Sequence, residues 1–276
     1  MLTYLGVAGW PIGHSRSPAM HNAALAAVGL TAWRYLALPL PPERFAETVR
    51  ALAPAGFRGI NVTIPHKQAA LALADAASAT AAAVGAANTL TFGPGGAVHA
   101  DNTDVRGLLE ALPVDPAGRT ALVLGAGGSA RAAAYALRAA GAADVAVWNR
   151  TRERGARLAG ELGVRTLERP EAAEIVVNCT SVGLRPDDDG LPLDPGLLDG
   201  ALCVADMVYR PGGTPLLAAA SRHGALVVDG LEILAAQGAA SFEAWTGRPA
   251  PREVMRAALS LQPASAAVSA AWKNGA

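Results

Sequence analysis

The stretch that decides the fold is Ala121-Leu122-Val123-Leu124-Gly125-Ala126-Gly127-Gly128-Ser129-Ala130. Its first four residues are apolar and predict a buried strand, and the helical pattern of Arg131–Ala140 follows at once. Between them, Gly125 permits a tight turn, Gly127 lets the backbone approach a pyrophosphate, and Ala130 allows close helix–strand packing. The phosphates would lie at the helix N-terminus, where backbone N–H groups favour an anion. The stretch therefore predicts a dinucleotide-binding domain of the Rossmann type.

The end of the next strand, Asp144–Asn149, indicates which dinucleotide fits. A cofactor with a free ribose 2′-hydroxyl favours Asp or Glu at this position. This chain has Asn149, Arg150 and Thr151 there, and Arg154 follows one helical turn later. Arginine suits a 2′-phosphate through charge-assisted, bidentate hydrogen bonds, whereas a helix start by itself favours acidic residues. We therefore expect NADP rather than NAD.

Strand-like runs alternate with helical ones almost throughout, which predicts an α/β fold with mostly parallel sheets. The predicted strands are Tyr4–Trp10, Trp33–Leu38, Arg58–Ile64, Ala86–Phe92, Thr120–Leu124, Asp144–Asn149, Val164–Leu167, Glu174–Asn178, Ala201–Ala205 and Ala225–Val228. Helices are predicted at about Pro18–Val28, Pro42–Leu52, Thr103–Leu112 and Leu231–Leu261, with two short ones within the alanine-rich run Ala69–Leu90. The run Gly93-Pro94-Gly95-Gly96 predicts a turn between two antiparallel strands.

This pattern predicts two domains with the active-site cleft between them. Residues 1–104 would form an N-terminal α/β substrate-binding and catalytic domain, completed by C-terminal helices at about 235–262. Residues 105–234 would form the Rossmann-type NADP-binding domain. Residues 263–276, rich in alanine and serine, would be a flexible tail.

Composition excludes several classes of function. The 276 residues are 51% hydrophobic and 17% charged with zero formal net charge, which argues against disorder and against nucleic-acid or anionic membrane partners. No basic segment followed by a long apolar run opens the chain, so we expect no secretory signal and a cytoplasmic protein. The two cysteines suit a reducing compartment and are too few for a zinc site.

Polar residues cluster at the predicted strand ends of the first domain, which suggests a cleft for a small polyhydroxylated ligand. The clusters are Gly13-His14-Ser15-Arg16-Ser17-Pro18, Asn61-Val62-Thr63-Ile64-Pro65-His66-Lys67, Ala87-Asn88-Thr89 and Asp101-Asn102-Thr103-Asp104. Ser17 suits the N-cap of a helix and Pro18 its first position, but capping leaves Ser15 unexplained, and two hydroxyls at a helix start suit a carboxylate. Lys67 is one of only two lysines among 23 basic residues, which suggests that chemistry demanded it.

Taken together, these motifs resemble the shikimate dehydrogenase family. The matching segments run in family order over about residues 4–260. They are Ser15-Arg16-Ser17-Pro18 with His21-Asn22, Asn61–Lys67, Asn88-Thr89, Asn102-Thr103-Asp104, the glycine turn, Asn149-Arg150-Thr151, Asn178–Gly183, Asp206–Pro211 and Gly230–Gln237. Two positions depart from the commonest family pattern, since Leu184 and Ile233 stand where methionine is frequent. Both exchanges are apolar and should affect packing more than chemistry.

The resemblance implies roles for individual residues. Ser15 and Ser17 would bind the substrate carboxylate, and Lys67 and Asp104 would be the catalytic pair. The implied substrate ligands are Ser15, Ser17, Thr63, Lys67, Asn88, Asp104, Tyr209 and Gln237. The implied NADP contacts are Gly125, Ala126, Gly127, Gly128, Ser129, Asn149, Arg150, Thr151, Arg154, Met207 and Gly230, with Met207 and Gly230 near the nicotinamide.

The activity that the resemblance implies is the NADPH-dependent, reversible reduction of 3-dehydroshikimate to shikimate in aromatic amino-acid biosynthesis. Two alternatives stay open: a quinate/shikimate dehydrogenase that uses NAD, and a shikimate-binding regulator without turnover. The sequence also leaves open whether Lys67 alone or the Lys67–Asp104 pair transfers the proton. It leaves open, too, whether the chain forms a homodimer.

Overall fold

The computed structural model describes residues 2–185 and 187–260, and the chain within these ranges forms twelve strands and ten α-helices. It divides into two units. One takes the residues up to Thr103 and those from Leu234 onward, and the other takes Asp104–Ile233. The tail predicted at residues 263–276 lies outside the described residues. No helix in the described ranges is long and apolar enough to cross a membrane.

The first unit is built on a mixed six-stranded sheet with the strand order β2-β1-β3-β5-β6-β4. Its strands are β1 (Thr3–Gly9), β2 (Trp33–Pro39), β3 (Phe57–Val62), β4 (Ala76–Ala77), β5 (Thr89–Phe92) and β6 (Val98–Asp101). Its helices up to residue 103 are α1 (Ser17–Ala27), α2 (Phe45–Leu52), α3 (Lys67–Leu73) and α4 (Ala79–Val84). Strand β1 pairs in parallel with β2 and β3, whereas β5 pairs antiparallel with β3 and β6.

The second unit is built on a six-stranded sheet that is parallel throughout. Its strands are β7 (Thr120–Leu124), β8 (Asp144–Trp148), β9 (Arg165–Thr166), β10 (Ile175–Asn178), β11 (Cys203–Asp206) and β12 (Leu226–Val228). The helices from residue 103 onward are α5 (Thr103–Ala111), α6 (Gly128–Ala139), α7 (Arg152–Leu162), α8 (Pro215–Arg222), α9 (Gly230–Thr246) and α10 (Arg252–Ser260). The order β12-β11-β10-β7-β8-β9 is that of the Rossmann fold, so the predicted α/β class is confirmed.

Apolar side chains on both faces of β7 explain its continuous apolar sequence. Ala121 and Val123 belong to one buried cluster of the second unit, and Leu122 and Leu124 belong to another. A parallel strand covered by helices on both faces reads as such a run rather than as an alternating pattern. In the first unit, Phe45 and other apolar side chains pack against the sheet in a cluster of their own.

The closing helices pack on the first unit through long-range hydrogen bonds. The Trp245 indole on α9 donates to the Leu90 carbonyl of β5 at 3.1 Å. Arg16 donates from Nη2 to the carbonyl of Leu259 on α10 at 2.9 Å. Ser241 of α9 is fully buried in the same unit. The C-terminal segment therefore completes the first unit.

Several predicted elements differ from the structure. The segment Leu231–Leu261 was predicted to be helical, and it contains helices α9 and α10, which a break at residues 247–251 separates. Gly247 has a φ of +65° there, and two prolines follow it. The prediction of two short helices within Ala69–Leu90 is confirmed by α3 and α4, although the short strand β4 between them was missed. The turn at residues 93–96 joins antiparallel strands as predicted.

The prediction that Ser17 is a helix N-cap is wrong. Arg16 occupies the cap position, so helix α1 begins at Ser17 itself. The predicted strand Ala86–Phe92 begins only at Thr89, and the Ala87 N–H ahead of it donates to the Lys67 carbonyl of α3 at 2.8 Å rather than to a neighbouring strand. These differences lie at loops that tertiary hydrogen bonds shape.

Candidate functional site

The turn after β7 passes very close to the end of β10. Gly125 has a φ of +109°, which L side chains rarely adopt. A Cβ at this position would lie 2.9 Å from the carbonyl oxygen of Cys179, directly after β10. Strands β7 and β10 are neighbours at the point where the strand order reverses, and this is where open α/β sheets bind their ligands. Glycine is therefore required at Gly125 by the backbone itself.

Gly127 meets a different requirement. It is the N-cap of α6, in an extended conformation with a φ of −88°, and no atom lies within 4 Å of where its Cβ would be. No side chain caps this helix start, so the N–H groups of its first turn suit an anion. Ala130, in the first turn of α6, is fully buried against the sheet. These residues fit the pyrophosphate of a dinucleotide.

The segment after β8 carries three exposed arginines that differ in their partners. Arg152 is paired with Glu168, with 2.5 Å between Nη2 and Oε1. The side chains of Arg150 and Arg154 have no hydrogen-bond or ion-pair partner within the described part of the chain. Asn149 shapes the turn by donating from Nδ2 to the Thr151 carbonyl at 2.8 Å. Two uncommitted guanidinium groups at the tip of β8 fit a ribose 2′-phosphate.

The structure brings Met207 and Gly230 together at the carboxyl ends of β10 and β11. The Met207 N–H donates to the Asn178 carbonyl at 2.9 Å. A Cβ on Gly230 would lie 2.7 Å from the Val208 carbonyl oxygen and 2.9 Å from that of Asp206. The backbone at the start of α9 therefore passes directly against the loop that carries Met207.

A buried carboxylate holds this loop. Asp206 is fully buried, and its Oδ1 accepts from Asn178 Nδ2 at 2.8 Å and from the Val208 N–H at 3.0 Å. Its Oδ2 accepts from the Thr214 hydroxyl at 2.7 Å. Burial raises the pKa of Asp206 to about 6, against the effect of these donors. Sequence reasoning gave Asp206 no role, although an acidic residue ending a run of apolar strand residues was a usable signal.

In the first unit, the serine pair lies at the start of α1. Ser15 Oγ accepts from the Ser17 N–H at 3.3 Å, so Ser15 rather than Ser17 supplies the side-chain hydrogen bond at the start of α1. Ser17 is buried, and its hydroxyl has no hydrogen-bond partner among the residues that the structure describes. A buried hydroxyl that caps nothing is explained better by a ligand than by helix capping.

Thr63 and Lys67 follow β3 in a short loop fastened to its neighbours. The Thr63 N–H donates to the Ala8 carbonyl of β1 at 2.9 Å, which places this loop beside the loop after β1. Lys67 is the first residue of α3 and is only 7% exposed. A buried lysine at a helix N-terminus opposes both its own solvation and the helix dipole. Lys67 is therefore not an ordinary solvated helix-start lysine.

Asn88 and Gln237 meet directly, although 149 positions separate them in sequence. Asn88 Nδ2 donates to Gln237 Oε1 at 3.2 Å and to Thr103 Oγ1 at 3.0 Å. The Thr103 N–H donates to Asn88 Oδ1 at 2.7 Å. All three side chains are buried. Sequence reasoning named Asn88 and Gln237 as ligands and placed Thr103 in a polar cluster after a predicted strand, but gave Thr103 itself no role.

Two predicted ligands lie in the second unit. Asp104 is the second residue of α5 and is 7% exposed, and Tyr209 is half-buried two residues after Met207. Their roles toward the substrate stay predictions. In the described ranges, no group of three or more His, Cys, Asp or Glu side chains could hold a metal ion.

Family models match three segments of the chain. The shikimate dehydrogenase substrate binding domain matches residues 7–90, and the shikimate / quinate 5-dehydrogenase model matches residues 110–182. The shikimate 5′-dehydrogenase C-terminal domain matches residues 230–259. Together they fall on both units of the structure.

Relatives and solved structures match nearly the whole chain. A shikimate dehydrogenase (NADP(+)) from Symbiobacterium thermophilum is 44% identical over 273 residues, which cover 92% of each chain. A crystal structure of shikimate 5-dehydrogenase from Thermus thermophilus, in complex with NADP(H) and shikimate, is 42% identical. It has a TM-score of 0.86 and covers 93% of this chain and 98% of that one.

A more distant structure has a different substrate in its name. The ligand-free 5-ketofructose reductase of Gluconobacter sp. strain CHM43 is 30% identical with a TM-score of 0.82, and covers 94% of this chain and 98% of that one. The motif resemblance is confirmed by these matches, of which those to shikimate dehydrogenases are closer in sequence. The chain belongs to the shikimate dehydrogenase family.

Proposed function

We propose that this protein is an NADP-dependent shikimate dehydrogenase, which reversibly reduces 3-dehydroshikimate to shikimate in aromatic amino-acid biosynthesis. The observation that carries the proposal is the burial of Lys67, whose carbonyl accepts from the Ala87 N–H beside the Asn88–Gln237 amide pair. This arrangement offers one cation and several hydrogen-bond donors to a small polyhydroxylated ligand. The relative from Symbiobacterium thermophilum, which carries this name, supports the same substrate.

We assign the two ligands to different parts of the chain. Residues 1–104 with the helices at about 235–262 would bind and convert the substrate, and residues 105–234 would bind NADP. The Gly125–Gly128 turn and the arginines after β8 support the second assignment, because they fit a pyrophosphate and a 2′-phosphate. Met207 and Gly230 would border the nicotinamide, while Ala126 and Ser129 would add contacts of the turn itself.

Several side chains would together orient the substrate. Ser15 and Ser17 would bind the carboxylate, because one hydroxyl lies half-buried in the loop and the other is buried without a capping role. Thr63, Asn88, Tyr209 and Gln237 would bind ring hydroxyls or the carboxylate. Fixed donors of this kind hold the ring in one orientation, which lowers the entropic part of the barrier.

NADPH, when bound, supplies the hydride that reduces the ring ketone. The chain must then deliver a proton to the oxygen on which negative charge develops. The Lys67 ammonium can stabilise that charge and donate the proton. Asp104, as a carboxylate, would orient the ammonium and accept from a substrate hydroxyl. In the reverse direction Lys67 would take the proton from the alcohol.

The competing activities differ in cofactor and in turnover. An NAD-using quinate/shikimate dehydrogenase would favour an acidic residue where Asn149 and Arg150 stand. A shikimate-binding regulator without turnover would have no need of Lys67, Asp104 and an intact glycine turn together. The residues present therefore favour the NADP enzyme.

The deciding assay is the loss of nicotinamide absorbance when the protein is mixed with 3-dehydroshikimate and NADPH. We expect turnover with NADPH to exceed turnover with NADH, and quinate to be oxidised poorly in the reverse direction. Absence of turnover with bound shikimate would support the regulator, and equal use of NADH and quinate would support the quinate enzyme. Each outcome therefore selects one of the three functions.

The role of Lys67 needs its own variant. We expect Lys67→Ala to reduce kcat by about 10²-fold or more, because general acid–base catalysis contributes that much. The matched control is Lys67→Arg, which retains a charge but is a much weaker acid at neutral pH. A Lys67→Ala enzyme with near-normal kcat and a raised KM would instead assign Lys67 to binding alone.

Two further properties belong to this proposal. The enzyme would act in the cytoplasm, where reducing conditions suit a chain with only two cysteines. It would bind neither nucleic acid nor membranes, because its net charge is zero. Light scattering during size-exclusion chromatography would measure whether it is a homodimer.

A further inference from the structure

Two loops follow the neighbouring parallel strands β10 and β11 at their carboxyl ends. We call residues 179–183 the β10 loop and residues 207–214 the β11 loop. Asn178 is the last residue of β10, is paired with Asp206 in the register of the two strands, and is fully buried. A buried amide must find its hydrogen-bond partners within the protein, so the partners of Asn178 show which groups it holds in place.

The oxygen of the Asn178 amide holds the β10 loop. The Thr180 N–H donates to Asn178 Oδ1 at 3.0 Å, and a backbone N–H can only donate, so the orientation of the amide is set. The Thr180 hydroxyl accepts from the Val182 N–H at 3.1 Å, and it donates to Asn178 Oδ1 at 2.8 Å. Two donors of the β10 loop therefore end on one amide oxygen.

The nitrogen and the backbone carbonyl of Asn178 hold the β11 loop. Asn178 Nδ2 donates to Asp206 Oδ1 at 2.8 Å, and that oxygen also accepts from the Val208 N–H at 3.0 Å. The Thr214 hydroxyl, at the far end of the loop, donates to Asp206 Oδ2 at 2.7 Å, because a carboxylate can only accept. The Asn178 carbonyl accepts from the Met207 N–H at 2.9 Å. One hydrogen-bond network therefore spans both loops, and Asn178 is where they join.

We propose that Asn178 is a positioning residue that joins the β10 and β11 loops and thereby fixes Met207 where the nicotinamide binds. The inference rests on the proposed function, in which Met207 borders the nicotinamide. Asn178 acts through the loops, since its own side chain is fully buried. A small displacement of the nicotinamide slows hydride transfer strongly, because the reacting atoms must be close and aligned. The 2′-phosphate end of NADP would contact Arg150 and Arg154 after β8, so its binding should not depend on Asn178.

The test uses two measurements that a general loss of stability would change together. The single-turnover rate of 3-dehydroshikimate reduction by NADPH reports the hydride step. The Kd of adenosine 2′,5′-bisphosphate, which lacks the nicotinamide, reports the other end of the cofactor site. Asn178→Ala removes the whole amide, Thr180→Val removes one hydroxyl of the β10 loop, and Thr180→Ser keeps that hydroxyl. Thr120→Val is the control, because the Thr120 hydroxyl accepts from the Glu174 N–H at 3.1 Å at the opposite edge of the same sheet.

We expect Asn178→Ala to lower the single-turnover rate at least about tenfold, because it releases both loops. Thr180→Val should lower it about fivefold, as loss of one neutral hydrogen bond would, and this variant decides the question if Asn178→Ala does not fold. Thr180→Ser and Thr120→Val should stay within about twofold of the wild type, and every variant should bind the bisphosphate within about twofold. A wild-type rate in Thr180→Val overturns the proposal. So does a loss of bisphosphate affinity as large as the loss of rate.

Hydrogen exchange tests the joining of the loops without any ligand. The Val208 N–H of the β11 loop should exchange with solvent at least about twofold faster in Thr180→Val than in the wild type, because residues of one hydrogen-bond network are energetically coupled. Thr120→Val should leave this rate unchanged. An unchanged rate in Thr180→Val overturns the proposal. If the wild type does not reduce 3-dehydroshikimate, the proposed function fails, whereas faster exchange in Thr180→Val would still support the joined loops.

Discussion

Substituting alanine for either of two neighbouring glycines should have opposite consequences for stability and for cofactor binding. Gly125 and Gly127 belong to one turn, and the same methyl group would be added two positions apart. At Gly125 the methyl would lie 2.9 Å from the carbonyl oxygen of Cys179, on a backbone with a φ of +109°. At Gly127 it would enter a space with no atom within 4 Å, on an extended backbone.

The magnitudes follow from these environments. Gly125→Ala should lower the free energy of unfolding by about 2–4 kcal/mol, because backbone strain and a clash with another backbone add together. Gly127→Ala should change it by less than about 1 kcal/mol. Alanine is a poorer N-cap than glycine, but it also restricts the unfolded chain, and these two effects oppose each other.

In the folded protein, NADPH affinity should be reduced more by Gly127→Ala than by Gly125→Ala. The methyl group of Gly127→Ala would occupy the space that we assign to the pyrophosphate and move the phosphates away from the first turn of α6. We expect NADPH to bind at least about tenfold more weakly, which corresponds to about 1.4 kcal/mol. Shikimate binding should be unchanged.

Urea unfolding measures the first quantity and titration of NADPH fluorescence measures the second. Wild-type NADPH affinity in Gly127→Ala would refute the assignment of this space to the pyrophosphate. Equal destabilisation by the two substitutions would refute the distinction between a glycine required by the backbone and a glycine required by a ligand.

Three other predictions concern charge. Arg150→Ala and Arg154→Ala should each lower the preference for NADPH over NADH about fivefold. Arg152→Ala should not, because Arg152 is paired with Glu168. Steady-state KM values for both cofactors would measure the preference, and an equal effect of Arg152→Ala would contradict the prediction. The pKa of Asp206 is raised to about 6, so the folded state binds this proton more tightly than the unfolded state does. The free energy of unfolding should therefore fall by up to about 3 kcal/mol as pH rises from about 4 to about 6. Urea unfolding of Asp206→Asn should show no such loss, and a pH profile parallel to that of the wild type would contradict the prediction. Burial lowers the pKa of His21 to about 3, so its contribution has the opposite sign: stability is fully present above about pH 6.5 and falls as pH drops, by about 3 kcal/mol at pH 4. His21→Phe should remove that acid-dependent loss with little other effect on stability. Neither ring nitrogen of His21 has a hydrogen-bond partner in the described part of the chain, and its ring stacks on that of Tyr35 with 4.2 Å between the ring centroids. If the stability of His21→Phe falls with decreasing pH as in the wild type, other groups cause the loss.

Local sequence was sufficient wherever a residue's role depends on its immediate neighbours in the chain. The run Ala121–Leu124 followed by Gly-x-Gly-x-x-Ala predicted a strand, a turn and a helix, because apolar runs and the positive φ at Gly125 are properties of the local chain. The alternation of strands and helices predicted the α/β class for a similar reason, since hydrophobic periodicity is a local property. Individual boundaries were less secure: the strand predicted from Ala86 begins at Thr89, and the Ala87 N–H before it bonds to Lys67 in another element.

The tertiary structure decided what depends on partners distant in sequence. The sequence placed Ser17 as a cap, whereas the fold makes it a buried hydroxyl within the helix, with Ser15 bonded to its N–H. It suggested that Lys67 was chemically required, but only the fold shows that Lys67 is buried. The Asn88 side chain bonds to Thr103 and to Gln237, which lie 15 and 149 positions away in sequence. The sequence alone thus determined the class of fold, the family and the identity of the candidate ligands. Hydrogen-bond direction and burial were decided by tertiary contacts, because both depend on which groups surround an atom in space rather than along the chain.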